Sequence, residues 1–315
     1  MRKHRYLRVM NLFDLPMPGR VARILGLVAC LAVAGCAAQS PSPPSVNPLL
    51  TMAGNPDRTR DLVIVIPGAL TSVHAYDDVP LPPGAALVGY RFPGIDGRPR
   101  DRPVKIAQAG AEIAAYVSAH PARHVRLIGM STGGPIALEA AKRIRGPGKL
   151  EVAILSSALP APATVLATLA GLSDIADASG RAHSLDRIEV FGEYYRTLLL
   201  GRSHYRNPPL AAYSARVAER IKAHLRLPGD GITRSQGANL LVWTLHHPEE
   251  LAHARVLFLH GAQDPVFPVA GVRRLAARLP DAKVITYPLS GHLLLATEPS
   301  VYADIDAAFR GWGPP

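Results

Sequence analysis

The chain has 315 residues, 48% hydrophobic and 19% charged, a balance suited to one large globular domain or two small ones. Its net charge of +11 is unevenly placed, since six basic residues against the single acid Asp14 precede Cys36 and leave 29 basic and 23 acidic residues for the remainder. No RNA-binding signature or zinc-finger spacing accompanies that mildly basic remainder, which argues against nucleic acid as a partner. Cys30 and Cys36 are the only cysteines, so the rest of the chain offers neither a disulfide nor thiol chemistry.

The first segment has the layout of an export signal. Its basic residues end at Arg23, residues 24–34 form an apolar core too short to span a bilayer comfortably, and it closes on Val33-Ala34-Gly35-Cys36. That closing run resembles the bacterial lipobox. The resemblance implies that residues 1–35 are a signal peptide and that Cys36 is diacylated and becomes the mature N-terminus. Without lipidation, Cys36 is only a small apolar residue of an uncleaved signal. Ala37 is not the aspartate associated with inner-membrane retention, so the expected address is the periplasm-facing cell envelope, with the outer membrane favoured. Residues 36–58, with Ser40-Pro-Ser-Pro-Pro-Ser-Val-Asn-Pro at their centre, read as a tether whose proline-rich part, residues 39–56, reaches about 50 Å at about 3 Å per residue.

Residues 62–66 (Leu-Val-Ile-Val-Ile) are apolar without interruption, as in a strand buried on both faces of a mainly parallel sheet. Residues 85–90 suit a second strand and 104–119 an amphipathic helix. Residues 125–128 predict a buried strand and 135–145 a helix, ended by Gly146-Pro147-Gly148. Residues 151–155 form the next strand. Between residues 160 and 253 helical periodicities and aromatics replace the alternation, and this stretch reads as a helical cap. Alternation resumes with strands at 256–260 and 283–287 and helices at 269–278 and 298–310. The expected fold class is α/β, a mainly parallel doubly wound sheet built from residues 59–159 and 254–315.

Three strand ends carry chemistry. Gly129-Met130-Ser131-Thr132-Gly133 is a G-x-S-x-G between a strand and a helix, the setting of a nucleophile elbow. Alone, it could equally be a glycine-rich turn with a solvated serine. Asp264 follows the strand at 256–260 in Gly261-Ala-Gln-Asp264-Pro-Val-Phe-Pro, where a turn or cap aspartate is the alternative. His292 follows the last strand in Ser290-Gly-His292, and its position distinguishes it among 12 histidines. His246, His247 and His253 read as structural.

The order Ser131, Asp264, His292, each after its own strand, resembles the α/β-hydrolase fold family, near its esterase and lysophospholipase-like members, over residues 61–310. The resemblance implies the α/β-hydrolase fold with its helical cap inserted after the strand that follows the nucleophile helix. It further implies a Ser131–His292–Asp264 triad. Where the family usually has His-Gly after the first core strand, this chain has Pro67-Gly68. The oxyanion donors implied are the N–H groups of Thr132 and Ala69, with Leu70 as the alternative to Ala69. The expected reaction is cleavage of carboxylic esters, including lipid or lysolipid esters, without metal or cofactor. The partners expected are a small ester and, through Cys36, a membrane. Thioester, amide or carbon–carbon cleavage on the same triad stays open, as does a binding lipoprotein of the same fold.

Overall fold

A computed structural model describes residues 46–99, 104–222 and 240–312. The signal at 1–35, Cys36, the tether up to residue 45 and residues 223–239 of the expected cap lie outside the described residues. The chain divides between Ser42 and Pro43 into two units, and the fold belongs to the second.

Seven strands, β1 (Leu49–Ala53), β2 (Asp61–Ile66), β3 (Ala86–Tyr90), β4 (His124–Met130), β5 (Lys149–Leu155), β6 (Arg255–Gly261) and β7 (Ala282–Tyr287), form one sheet in the order β1-β3-β2-β4-β5-β6-β7. β2 to β7 run parallel, and β1 closes one edge antiparallel to β3. The apolar run in β2 is explained by burial on both faces. Leu62, Ile64 and Ile66 join one core with Ile113 and Val117 of helix α1 (Ile106–Ala119) and Ile136 of α2 (Gly133–Ala141). Val63 and Val65 point the other way, into a second core that holds Ile128, Leu155, Leu257 and Leu259.

β1 corrects the tether boundary, because Leu49–Ala53 falls within the stretch read as linker and instead forms a strand with Leu49 buried. Its partner β3 lies more than thirty residues downstream, and local proline content says nothing about such pairing. Between β5 and β6 the described residues form α3 (Ala163–Ala182), α4 (Arg187–Leu200) and α5 (Pro208–Lys222). Asp186 starts α4 by accepting N–H bonds from Ile188 and Glu189. After β6 and β7 come α6 (Val269–Ala276), α7 (Leu294–Thr297) and α8 (Val301–Arg310). Ile305 and Phe309 of α8 seal the second core.

Candidate active site

The strand order reverses between β2 and β4, and there the carboxyl ends of two parallel strands leave a crevice. Ser131 stands at the end of β4 with φ of 50°, a left-handed conformation that a non-glycine residue keeps only when its surroundings enforce it. They do so through hydrogen bonds. Its N–H donates to the Leu155 carbonyl at 2.9 Å, and its own carbonyl accepts from Gly134 and Ala158 at 3.0 and 3.1 Å. The turn is also packed against backbone, since a Cβ on Gly133 would stand 2.0 Å from the Ile66 carbonyl oxygen. Only glycine fits there. Across the crevice, a Cβ on Gly68 would lie 3.3 Å from Ser131 Cβ, so the loop after β2 touches the serine. Ala69 follows in that loop. Thr132, buried at the mouth of α2, carries one of the first N–H groups of a helix, which have no carbonyl four residues back.

Asp264 and His292 meet at the ends of β6 and β7. His292 Nδ1 lies 2.8 Å from Asp264 Oδ2, and both side chains are buried. A carboxylate only accepts, so Nδ1 carries the proton of this contact and Nε2 of a neutral ring keeps its lone pair. Asp264 Oδ1 accepts the N–H groups of Val266 and Phe267 at 2.8 and 2.9 Å. Burial by itself raises the Asp264 pKa, but the charge and hydrogen bond of His292, the field of His260 and the Phe267 N–H outweigh it, and the net shift is downward. Among the described residues, Ser131 Oγ makes no hydrogen bond to His292, a contact that often tightens only around substrate.

His260, the penultimate residue of β6, is fully buried beside this pair. Its Nε2 lies 2.7 Å from the Phe267 carbonyl oxygen and 3.4 Å from Asp264 Oδ2. Burial lowers its pKa, and Asp264 and the Phe267 carbonyl only partly offset that effect.

The helices between β5 and β6 reach both loops. The Gly291 N–H donates to the Leu199 carbonyl at 2.7 Å and the His292 N–H to the Leu198 carbonyl at 2.6 Å. The last turn of α4 therefore has two of its orphan carbonyls satisfied by the histidine loop. Arg202, just beyond α4, grips the buried Asp174 of α3 with two hydrogen bonds of 2.6 and 2.7 Å and donates to the Pro265 carbonyl at 3.2 Å. Ser290, next to the histidine, donates its hydroxyl to Glu298.

The family model for the alpha/beta hydrolase fold matches residues 61–299. The chain belongs to the alpha/beta-hydrolase fold family. No curated protein matches the sequence significantly. Among solved structures, this α/β-hydrolase is similar to a hydrolase from Pseudomonas aeruginosa PA01, at 18% identity and a TM-score of 0.58 over 84% of this chain and 94% of that one. A thermophilic esterase from Thermogutta terrifontis superposes with a TM-score of 0.56 at 16% identity, over 83% of this chain and 93% of its own. The esterase EaEST from Exiguobacterium antarcticum gives 0.56 at 14% identity, over 84% and 95%. At such identities the likeness speaks for the fold alone.

Sequence reasoning did not find His260, Arg202 or the α4 carbonyls. His260 stands directly before Gly261 in the same loop motif as Asp264, a signal that was legible but shared with any histidine at a strand end. The carbonyls of Leu198 and Leu199 have no sequence signature, because every residue has a carbonyl. His253, read as structural, accordingly sits with its Nε2 3.1 Å from the Ala141 and Ile144 carbonyls near the end of α2.

Proposed function

We propose that this α/β-hydrolase is a serine hydrolase that cleaves carboxylic esters through an acyl-enzyme. The observation that carries the reading is the buried Asp264–His292 pair at 2.8 Å on the strand edge that also presents Ser131 at a strained turn. His292 Nε2 takes the proton from Ser131 Oγ as that oxygen attacks the ester carbonyl carbon. Asp264 fixes the imidazole tautomer and stabilises the cation that forms. The N–H groups of Thr132 and Ala69 receive the oxyanion, a contribution worth about 10²–10³ in rate per donor. His292 then returns the proton to the departing alkoxide. In the second half, water gives a proton to His292 as its oxygen attacks the acyl carbon, and His292 returns that proton to Ser131 Oγ as the acyl–oxygen bond breaks, which releases the acid and restores both side chains.

Lipid or lysolipid esters are the favoured substrates in this reading. α3 supports it by exposing apolar side chains on successive turns, with Leu166 66% and Leu169 58% accessible, next to the elements that brace the site. In this reading α3 to α5 act as a cap. The esterases among the structural relatives agree with the reaction class. Attachment of the protein to the envelope through diacylated Cys36 belongs to the same proposal.

Fluorophosphonate labelling of wild type, Ser131→Ala and His292→Ala, followed by p-nitrophenyl esters of increasing chain length, tests the chemistry. Wild type is expected to label and turn over while neither variant does. A folded wild type that neither labels nor cleaves any of these esters overturns the proposal.

A further inference from the structure

Asp264 is flanked by two imidazoles, and only His292 has a place in the proton transfers of the proposed reaction. The second, His260, is fully buried and has all its polar contacts on one nitrogen. Nε2 faces the Phe267 carbonyl at 2.7 Å and Asp264 Oδ2 at 3.4 Å, whereas the buried Nδ1 has no hydrogen-bond partner among the described residues. A carbonyl and a carboxylate can only accept, so the proton of the neutral ring belongs on Nε2. An imidazolium would bury a second N–H without a partner, which disfavours the charged ring.

Phe267 is held from both sides. Its N–H donates to Asp264 Oδ1 at 2.9 Å, while its carbonyl accepts from His260 Nε2. The loop from Asp264 to Phe267 is thereby closed into a ring of hydrogen bonds anchored on β6. Without the His260 N–H, the Phe267 carbonyl would lose its partner in a dry environment, and the loop would turn to find another. The same N–H dipole points into the neighbourhood of the oxygen that receives His292 Nδ1.

We infer that His260 is a positioning residue: as a neutral N–H donor from the end of β6, it fixes the Asp264–Phe267 loop so that Asp264 Oδ2 stays in line with His292 Nδ1. The inference rests on the hydrolase reading only for its effect on rate. The alignment itself is a property of the folded protein.

The test compares wild type with His260→Leu, which removes the donor, and His260→Gln, whose amide reaches toward the position of Nε2 and restores an N–H. Two readouts are taken on folded protein. The first is the rate of fluorophosphonate labelling and of p-nitrophenyl acetate hydrolysis. The second is the low-field proton resonance of His292 Nδ1–H, observed without substrate. His260→Leu is expected to slow both reactions about tenfold, the scale of one lost buried hydrogen bond, and to shift or broaden the resonance. His260→Gln is expected to stay within about threefold of wild type and to recover the resonance, a rescue that filling space cannot provide. Should the leucine variant fail to fold, His260→Asn replaces it, since asparagine keeps polarity but is too short to reach Phe267. Labelling and a resonance equal to wild type in the donorless variant overturn the inference. If wild type itself does not label, the hydrolase reading fails, and the resonance still decides whether His260 aligns the pair.

Discussion

The two ends of the sheet each bury a carboxylate beside histidine, and they treat it in opposite ways. At the amino end, the parallel register sets His124 between Asp61 and Lys149 and Arg126 beside Glu151. The fully buried Glu151 there receives Arg126 at 2.8 and 2.9 Å, His124 at 3.0 Å and the ammonium group of Lys149. Burial works against its ionisation, but the His124 and Lys149 contacts and the Arg126 charge prevail and bring its pKa down to about 2. At the carboxyl end, Asp264 meets backbone N–H groups and two imidazoles. Glu151 is neutralised where it stands. Asp264 keeps a negative charge held by backbone N–H groups and imidazole contacts, with no cation from Lys or Arg against it among the described residues. Burial is common to both, and the kind of donor makes the difference.

The largest effect that would sharpen this contrast belongs to the carboxyl end. Ser131→Ala and His292→Ala are expected to lower p-nitrophenyl ester turnover by about 10⁴–10⁶-fold, with an unchanged thermal midpoint for Ser131→Ala and a lowered one for His292→Ala, which leaves the buried Asp264 carboxylate without its ring partner. Labelling that persists in Ser131→Ala would break the contrast by moving the nucleophile elsewhere. Asp264→Asn is next, with turnover reduced about 10⁴-fold because an amide can present its N–H to His292 and favour the wrong tautomer. A loss of only a few-fold would mean that the carboxylate does not orient the imidazole.

Glu151→Gln should do the reverse. It leaves Arg126 and Lys149 facing a neutral amide, and chemical denaturation is expected to show a loss on the order of 3 kcal/mol, with activity per folded molecule unchanged. The pH dependence follows from the same group. A carboxylate with a depressed folded pKa contributes stability that is fully present above its ordinary value of 4.5 and is lost as pH falls toward about 2. Between those limits wild type should lose stability more steeply than Glu151→Gln, and parallel curves would refute the assignment to Glu151. The smallest effect is expected of Lys149→Ala. Its side chain is 40% exposed, and solvent screening limits the cost to about 1 kcal/mol or less.

The elbow shows how far local reading extends. The G-x-S-x-G spacing is local, and so is part of its reason: a side chain at Gly129 would strike the Gly133 carbonyl across the turn itself, whereas one at Gly133 would strike the Ile66 carbonyl of the neighbouring strand. The β1 strand shows the limit. Its residues are a short apolar run inside a proline- and serine-rich stretch, and only the exposed edge of β3 gave that run a partner.

By itself the sequence determined the alternation of buried strands and helices, and with it which polar residues fall just past strand ends. Periodicity and turn chemistry are local, so Ser131, Asp264 and His292 could be named from a few neighbours each. Tertiary structure alone decided that Asp264 and His292, 28 residues apart, meet at 2.8 Å and that His260 shares the same carboxylate. It also decided that the last turn of α4 lends its carbonyls to the histidine loop. Such contacts depend on the order of strands in the sheet and on where a long insertion folds back, and backbone groups, identical in every residue, leave no mark in a sequence.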